Sequence, residues 1–408
     1  MRQQLRLLLH SLAINGKDIR YALRQSGFGR GAKLSGPPRL LFYAVNGVGL
    51  GHVTRLLGIA RQMRNLQPDV EILFLTSSEA AHLIYRAGFA YVKTPSHSLA
   101  GQKLLDEPSI LRLNHHAALI TMLSFKPHCL VVDCFPAGLQ DELLPLLQTS
   151  LRKVFVFRAQ RENTTRGADF QKALSLYDLI LVPHKEGSES VLLPTSANSV
   201  WTGPMMAYEQ SEMLSREAAR AALGLPSDKL VGLITLGGGG EAEIAAARRH
   251  IEEALQEKPN DETWVEVEGP LLRHTPESFN FSFPWRVLRD VHPLMLYLNA
   301  FDGAISAVGY NTVQELQVAG VPTILWPFPR LLDDQNARAQ QLAQAGRALA
   351  IDEGIGENRS QQLANALQEL KQESTRRQLR EAMKIAAEPT ARNGSAIGAE
   401  AILKLLQP

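Results

Sequence analysis

The chain is poor in cysteine, in net charge and in long apolar runs, and each shortage excludes a class of protein. Its 408 residues include 2 cysteines, Cys129 and Cys134, which are too few for a disulfide framework. No further cysteine or clustered histidine completes a metal site with them, so the sequence predicts buried thiols in a reducing cytoplasm. No apolar run reaches the roughly 18 residues that a membrane-spanning helix needs. A formal charge of +2 gives no argument for a nucleic-acid partner.

Charge is uneven at the start of the chain, where residues 1–38 carry seven basic side chains and the single acid Asp18. Leucines recur with helical spacing from Leu5 to Leu12, which predicts a short amphipathic segment with a basic flank. Two interpretations stay open. This leader contacts an anionic membrane surface, or it is a tail that packs on the body or stays poorly ordered. A signal peptide is not expected, because His10 interrupts the apolar run.

Short apolar, β-branched runs alternate with longer stretches of helical period along most of the chain. Runs that are apolar on both faces are typical of parallel strands covered by helices on each side. Such runs begin at Arg39, Val70, Cys129, Lys153, Asp178, Leu230, Thr263, Trp285, Asp302, Pro322 and Arg347. Residues 195–210 interrupt this pattern with small and turn-forming residues, which indicates a domain boundary.

The sequence therefore predicts an α/β protein with two Rossmann-like, doubly wound domains that face each other across a cleft. The basic extension covers residues 1–38, the first domain residues 39–200 and the second domain residues 201–385. Residues 386–408 are expected to form a helix that packs back toward the first domain. Ligands of open parallel sheets bind at the carboxyl ends of the strands, so we searched these ends for chemistry.

The first such end reads "AVNGVGLGHVTR", residues 44–55, where a strand turns into a helix. Gly47, Gly49 and Gly51 let the backbone approach a ligand, and a helix amino end attracts anions. A dinucleotide fingerprint would need a third glycine at His52, and its absence weighs against a nicotinamide dehydrogenase. A histidine at this place is a candidate general base, with an ordinary pKa near 6.5. The alternative is a helix-end histidine without a catalytic part.

A second strand ends in "LVVDCFPAG", residues 130–138, with Asp133 at its carboxyl end. An acid at this edge can hold a histidine in one tautomer and stabilise its protonated form. The alternative is an aspartate that caps the following helix.

A third end, "TLGGGGEAE", places four glycines between a strand and a helix, namely Gly237, Gly238, Gly239 and Gly240. No Lys-Ser or Lys-Thr follows them, so the segment is not a P-loop. A run of backbone N–H groups in this setting can still bind a diphosphate. A flexible turn is the alternative.

The most informative segment spans residues 302–339. After a strand and a loop with Gly309, a helix begins near Asn311 and Thr312, and Glu315 falls on the same face of that helix. A glutamate there can accept hydrogen bonds from the vicinal hydroxyls of a sugar. The next strand is followed by a polar cluster that contains Asp334 and Gln335.

With these residues in view, the chain resembles GT-B glycosyltransferases. "GYNTVQELQVAGVPTILWPF" followed by "DQN" is similar to the nucleotide-sugar signature of UDP-sugar transferases, and "NGVGLGHVTR" resembles the amino-terminal loop of glycosyltransferase family 28. The similarity covers about residues 39–390 and leaves the leader outside.

The resemblance implies roles for the residues already found. His52 would deprotonate the acceptor hydroxyl and Asp133 would orient it, while Glu315 would bind ribose. The diphosphate would face Gly49, Gly51, the four glycines from Gly237 to Gly240, Gly309, Asn311 and Thr312. Asp334 and Gln335 would bind the donor sugar, and the uracil pocket would form near Leu288, Arg289 and Val291. The plant motif at that pocket is absent from "VLRDVHPLM".

These expectations describe an inverting transfer from a UDP-sugar, or a related nucleotide sugar, to an unidentified acceptor that is lipid-linked or a small molecule. No cofactor is expected, and no metal, since no D-x-D pair stands at a strand end. Two alternatives of other classes are a hydrolysing sugar-nucleotide 2-epimerase and a non-catalytic sugar-nucleotide sensor. The epimerase would release UDP without an acceptor, and the sensor would bind the donor without transfer.

Overall fold

The computed structural model describes residues 36–45, 49–96, 105–160, 162–187, 191–194, 197–237, 241–255, 262–269, 285–330, 333–352, 358–387 and 392–407. Nearly all of the basic leader, Gly47 and Gly238, Gly239 and Gly240 lie outside these residues. The described residues divide into two compact units. Unit 1 runs to Ala207 and resumes at Asn393, and unit 2 is Tyr208–Arg392.

Unit 1 is built on a parallel sheet of seven strands, in the order β3-β2-β1-β4-β5-β6-β7. The strands are β1 (Arg39–Ala44), β2 (Glu71–Thr76), β3 (Ala90–Lys93), β4 (Cys129–Asp133), β5 (Arg152–Val156), β6 (Leu179–Val182) and β7 (Ser199–Trp201). The helices before the chain leaves this unit are α1 (Gly51–Leu66), α2 (His82–Arg86), α3 (Glu107–Phe125), α4 (Leu144–Leu147), α5 (Glu162–Thr165) and α6 (Ala168–Leu174).

Unit 2 contains a parallel sheet of six strands, in the order β10-β9-β8-β11-β12-β13. Its strands are β8 (Leu230–Thr235), β9 (Glu262–Val267), β10 (Arg286–Leu288), β11 (Gly303–Ala307), β12 (Thr323–Trp326) and β13 (Leu349–Ala350). Its α-helices are α7 (Arg216–Leu223), α8 (Glu241–Leu255), α9 (Tyr310–Ala319), α10 (Gln335–Gln344), α11 (Asn358–Lys371) and α12 (Glu373–Ala386). Short 3₁₀ helices span Gln210–Glu212 and Leu294–Ala300.

Each sheet is covered on both faces, because successive strand residues point to opposite sides. In β1, Leu40 and Phe42 pack with α1, whereas Leu41 and Tyr43 pack with α3 on the other face. In unit 2, Ile234 of β8 packs with α8, and Leu233 packs with α7. Two parallel-sheet units of this kind confirm the predicted fold class. Among the described residues, no helix combines the length and apolarity that crossing a membrane requires.

The strands β3 and β7 were not expected from the apolar pattern. Both lie at the edges of their sheet, and the residues of β3 are mostly exposed, so they lack the continuous apolar run of a central strand. The strand β7 lies inside residues 195–210, where small and polar residues hide it.

The last helix, α13 (Gly394–Leu406), belongs to unit 1 and packs against α1. Its start is anchored to Met206: the Asn393 side chain accepts from the Met206 N–H at 3.1 Å and donates to the Met206 carbonyl at 3.1 Å. The Ser395 hydroxyl donates to the same carbonyl at 2.8 Å. Gly58 of α1 lies directly beneath this junction, where a Cβ atom would come within 2.5 Å of the Met206 oxygen.

We expect Gly58→Ala to lower the free energy of unfolding by about 1–3 kcal/mol, because the added methyl group overpacks the contact between α1 and α13. Urea denaturation checks this. Gly167→Ala is the control, since a Cβ there meets its nearest atom at 3.6 Å, an ordinary contact, and its cost should stay below about 1 kcal/mol. Equal losses in the two variants would contradict the packing argument.

Candidate active site

His52 and Asp133 in unit 1, and Gly237 and the start of α9 in unit 2, lie where strand order reverses within a sheet. In unit 1 the chain adds β2 and β3 on one side of β1 and then returns to place β4 on the other side. In unit 2 the same reversal occurs between β8 and β11. The carboxyl ends of two such neighbouring strands leave a crevice, which is the usual ligand position in open α/β sheets.

His52 and Asp133 meet at the crevice of unit 1. The register that pairs Tyr43 of β1 with Val132 of β4 brings the end of β4 beside the loop that leads into α1. His52 is the second residue of α1, and its Nδ1 lies 2.7 Å from the Asp133 Oδ2. A carboxylate only accepts hydrogen bonds, so Nδ1 carries the proton and donates it. Asp133 occupies Nδ1 and not Nε2, and Cys134 is a further hydrogen-bond partner of the imidazole.

Asp133 is buried to 1% exposure and is held by a second partner that the sequence reasoning missed. Arg55, also 1% exposed, donates from Nε to Oδ1 at 3.1 Å and from Nη2 to Oδ2 at 2.9 Å. Burial alone would raise the pKa of Asp133, but Arg55 and His52 hold it well below its usual range. The signal in the sequence is spacing, because Arg55 lies three residues after His52 and hence on the same face of α1.

His52 is more basic than its type suggests, which corrects the expectation of an ordinary pKa. Burial alone would lower the pKa of His52, but negative charge on Cys134 and Asp133 raises it to about 9. Cys134 is the second missed neighbour. It is a free, buried thiol, and its Sγ lies 3.5 Å from the Asp133 Oδ1. The Phe135 ring stacks on the imidazole with centroids 5.7 Å apart.

His52, Asp133 and Cys134 also offer nitrogen, oxygen and sulfur atoms that all lie within 4.8 Å of one another. Zinc binds these donor types, so sequence reasoning that set the cysteines apart from any ligand cluster overlooked this group. The Arg55 guanidinium contacts both the Asp133 carboxylate and the Cys134 sulfur, at 3.6 Å from the latter. That positive charge opposes a second cation at the same place.

The glycines in the loops after β1 and β8 lie where the backbone favours a residue without a Cβ atom. Gly49 has φ of 111° and Gly237 has φ of 72°, a region that side chains with a Cβ rarely adopt. Gly51 begins α1, and a Cβ on it would meet nothing within 4 Å. A Cβ on Gly237 would lie 3.9 Å from Ala307, so the loops after β8 and β11 are neighbours.

The helix α9 supplies the polar groups of unit 2. Gly309 precedes its first residue with φ of −66°, and no side chain caps this end. Asn311 and Thr312 lie in its first turn and are partly exposed. Glu315, one turn further on, is half-buried and has no hydrogen bond or ion pair with any other residue that the structure describes. Desolvation raises the pKa of Glu315 to about 7.

Asp334 and Gln335 already have structural partners. The Asp334 carboxylate caps α10 by accepting from the Ala337 N–H at 2.9 Å. The Gln335 side-chain oxygen accepts from the Phe328 N–H at 2.9 Å, which leaves its amide nitrogen without a partner in the described residues. Sequence reasoning also missed Arg338, which donates to Asp333 at 2.7 Å and to the Val308 carbonyl at 3.0 Å. Arg338 thereby ties the loop after β11 to the start of α10.

The predicted uracil-binding residues follow β10. Leu288 ends that strand, and the Nε of Arg289 donates to Glu268 at 2.9 Å, just beyond the end of β9. Leu288 and Val291 pack at the margin of the core that covers this face of the sheet. An apolar margin therefore lies at the carboxyl edge of β9 and β10 beside Glu268, which pairs with both Arg289 and Arg248.

Comparison with known proteins relates this chain to sugar transferases. Residues 273–396 match the Glycosyltransferase family 28 C-terminal domain. The UDP-N-acetylglucosamine--N-acetylmuramyl-(pentapeptide) pyrophosphoryl-undecaprenol N-acetylglucosamine transferase of Desulforudis audaxviator is 26% identical over 322 residues, which are 74% of this chain and 82% of that protein. The transferase of the same name from Salinibacter ruber is 26% identical over 309 residues, 74% of this chain and 81% of its own.

Solved structures share the fold at low identity. Phytolacca americana UGT2, complexed with UDP-2fluoro-glucose and pterostilbene, superposes with a TM-score of 0.61 at 16% identity, over 90% of this chain and 99% of that one. Spinosyn Rhamnosyltransferase SpnG, complexed with thymidine diphosphate, gives a TM-score of 0.58 at 15% identity, over 91% of this chain and 100% of its own.

We expect Glu315→Gln to stabilise the protein at pH 8 by about 1–3 kcal/mol. The folded state raises the pKa of Glu315 to about 7, so the unfolded chain ionises first and stability falls as pH rises from about 4.5 to 7. The gain should therefore vanish near pH 4. Urea denaturation at both pH values measures it, with the exposed Glu369→Gln as a control that changes neither. A variant less stable than the parent at pH 8 would show that Glu315 has a partner in the folded state.

Proposed function

The chain is a glycosyltransferase of the GT-B fold whose carboxy-terminal segment matches family 28, and from that premise we propose an inverting, metal-independent transfer from a UDP-sugar to an acceptor hydroxyl. The observation that carries the proposal is the His52–Asp133 pair. The Nδ1 of His52 is anchored on Asp133 at 2.7 Å, so the carboxylate does not occupy Nε2, and the pair lies at the strand reversal of unit 1.

In the proposed reaction, Nε2 of His52 takes the proton of the acceptor hydroxyl as the oxygen attacks the anomeric carbon of the donor. The acting base is the deprotonated form of His52, whose fraction grows as the pH rises toward about 9. The bond from that carbon to the diphosphate breaks on the opposite face, so the configuration inverts. Asp133 keeps the imidazole in the tautomer with Nδ1–H and stabilises the imidazolium that forms. The diphosphate leaves with the electron pair.

We assign donor binding to unit 2 and to the glycine loop before α1. In unit 2, backbone N–H groups at Gly237, Gly309, Asn311 and Thr312 would meet the diphosphate, and in unit 1, Gly49 and Gly51 let the backbone before α1 approach a ligand. The amino ends of α8 and α9 add favourable dipoles, which supports a reaction without a metal. We expect the enzyme to stay active in the presence of a chelator. Loss of activity there would show that a divalent ion binds the diphosphate.

The position of Glu315 supports the proposal that the donor contains a ribose with free hydroxyl groups. The Glu315 carboxylate has no partner among the residues that the structure describes although desolvation penalises its charge, and a pair of vicinal hydroxyls would supply the missing donors. Arg289 and Val291 would line the base pocket, and Asp334 with the amide nitrogen of Gln335 would contact the sugar. UDP is proposed as the nucleotide because the curated relatives are named for UDP-N-acetylglucosamine.

We propose only the chemical class of the acceptor, which is a lipid-linked molecule. The curated relatives are named for transfer to a pyrophosphoryl-undecaprenol carrier, which favours a lipid-linked acceptor over a small molecule. A peripheral association with the membrane surface would follow from such an acceptor.

His52→Ala should lower kcat by about two to four orders of magnitude and leave UDP affinity nearly unchanged, because general-base catalysis contributes about that much. The assay follows transfer from labelled UDP-N-acetylglucosamine to a pyrophosphoryl-undecaprenol acceptor, with UDP affinity from calorimetry. The control is His82→Ala, an exposed histidine of the same unit.

Normal turnover in His52→Ala would remove the base assignment. Release of UDP from the donor at an undiminished rate without acceptor would identify a hydrolysing epimerase instead. Binding without any turnover in the parent protein, across UDP-sugars and both acceptor classes, would identify a sensor.

Binding of UDP-sugar should weaken up to about tenfold between pH 8 and pH 6, because Glu315 with a pKa of about 7 loses its charge over that interval. Calorimetry with an intact UDP-sugar measures this, since its diphosphate has no group that titrates in that range. Glu315→Gln should bind weakly and independently of pH, whereas Glu369→Gln should keep the parent's dependence. Identical profiles for Glu315→Gln and the parent would place the ribose elsewhere.

A further inference from the structure

The candidate base lies in a cluster that includes the polar side chains of Asp133, Arg55 and Cys134. Arg55 contacts both oxygens of Asp133, and Oδ2 of that carboxylate also holds the His52 Nδ1. The imidazole and the guanidinium therefore share one acceptor. With Arg55 and Asp133 at 1% exposure, water cannot screen this contact well.

Cys134 completes the cluster through an unusual backbone turn. Its φ is 64°, in the left-handed region that residues with a Cβ seldom occupy, and β4 ends one residue before it. The turn leaves the thiol buried at 1% exposure, with Sγ 3.6 Å from the Arg55 Nη2 and 3.5 Å from the Asp133 Oδ1. Backbone strain of this kind persists where the surroundings enforce a particular side-chain position.

Resting on the proposed role of His52, we propose that Arg55 and Cys134 are positioning residues that set, in opposite directions, how readily His52 accepts a proton. Arg55 does so with a positive charge that offsets Asp133, and Cys134 with negative charge on its sulfur. Arg55 also fixes the plane of the carboxylate, so that Oδ2 faces the imidazole.

The charges that face His52 come from three elements. Asp133 lies on β4, Cys134 lies in the turn that follows it, Arg55 lies on α1, and the Phe135 ring that stacks on the imidazole carries no charge. Burial and Asp133 would raise the pKa of Cys134, but His52 and Arg55 outweigh them and lower it. If Cys134 is ionised, a protonated His52, Arg55, Asp133 and the Cys134 sulfur together carry zero net charge.

Zero net charge of that arrangement favours a proton on His52. Deprotonation would leave one uncompensated negative charge in a buried site, which is unfavourable. Removing the sulfur charge reverses this, because the neutral imidazole then completes a neutral cluster. Removing Arg55 has the opposite effect, because it leaves two negative charges that favour the imidazolium.

The test compares four variants of the full chain: Cys134→Ser, Arg55→Met, Arg55→Lys and Arg220→Met. Titration of the His52 imidazole by NMR on ¹⁵N-histidine-labelled protein is the direct readout, with His52→Ala used to assign the signal. The parent should titrate near pH 9. We expect a midpoint lower by about one pH unit in Cys134→Ser and higher by about one unit in Arg55→Met.

The two other variants separate charge from other effects. Arg55→Lys keeps the charge but loses the two-pronged contact, so its midpoint should stay within about half a pH unit of the parent while kcat falls. Arg220→Met is the matched control: Arg220 is 3% exposed and donates to Asp302 at 2.8 Å in unit 2, so its loss should destabilise without moving the His52 midpoint.

Unchanged midpoints in Cys134→Ser and Arg55→Met, or shifts in the same direction, would overturn the inference. If Arg55→Met does not fold, Cys134→Ser decides by itself. The pH profile of kcat separates this inference from the proposed function: if the NMR midpoints move as expected but the acid limb of kcat does not follow, the charge effect stands and the base assignment fails.

Discussion

A carboxylate that water does not reach must find its hydrogen-bond donors within the protein, and Asp133 imposes that requirement on unit 1. Removing one partner of such a buried ion pair lowers the free energy of unfolding by about 3–5 kcal/mol, so the fold depends on the contacts of Asp133 with Arg55 and His52. They fix the first turns of α1 against the end of β4. Because β4 returns to the side of β1 opposite to β2, this contact also marks the reversal in strand order where a ligand would bind.

The carboxylate of Glu315 in unit 2 differs from that of Asp133 in its hydrogen-bond partners. Glu315 lies at the corresponding strand reversal, on the helix that follows β11, yet none of the described residues donates a hydrogen bond to it. Asp133 is satisfied by the fold and helps to stabilise it, whereas Glu315 carries an energetic penalty that a ligand can relieve. Natural sequences tolerate such local conflicts mainly at functional positions. The contrast supports a division of labour in which unit 1 prepares a base and unit 2 binds a nucleotide.

The apolar runs of the sequence predicted the fold class, because buried parallel strands are apolar on both faces and need no long-range information to recognise. The edge strands β3 and β7 escaped this reasoning since exposure on one side removes that signature. The candidate site was predictable in its parts, from glycines and polar residues at strand ends. Its electrostatics were not, because the basicity of His52 depends on Asp133 and Cys134, about 80 residues away along the chain. Roles for Asp334 and Gln335 stay predictions, and their contacts with Ala337 and Phe328 could not be read from spacing.

The helix α13 has a consequence for how the protein is made. It packs on Ile59 of α1 and Leu181 of β6 around Gly398, and Ile402 lies in the same core. The ribosome delivers this helix only after all of unit 2 has emerged. During synthesis, the face of unit 1 that α13 will cover stays exposed to solvent. Unit 2 can therefore complete its fold before unit 1 does. A nascent chain stalled before residue 393 would expose apolar surface around α1 to which chaperones bind, although every residue of the His52 cluster had already been translated.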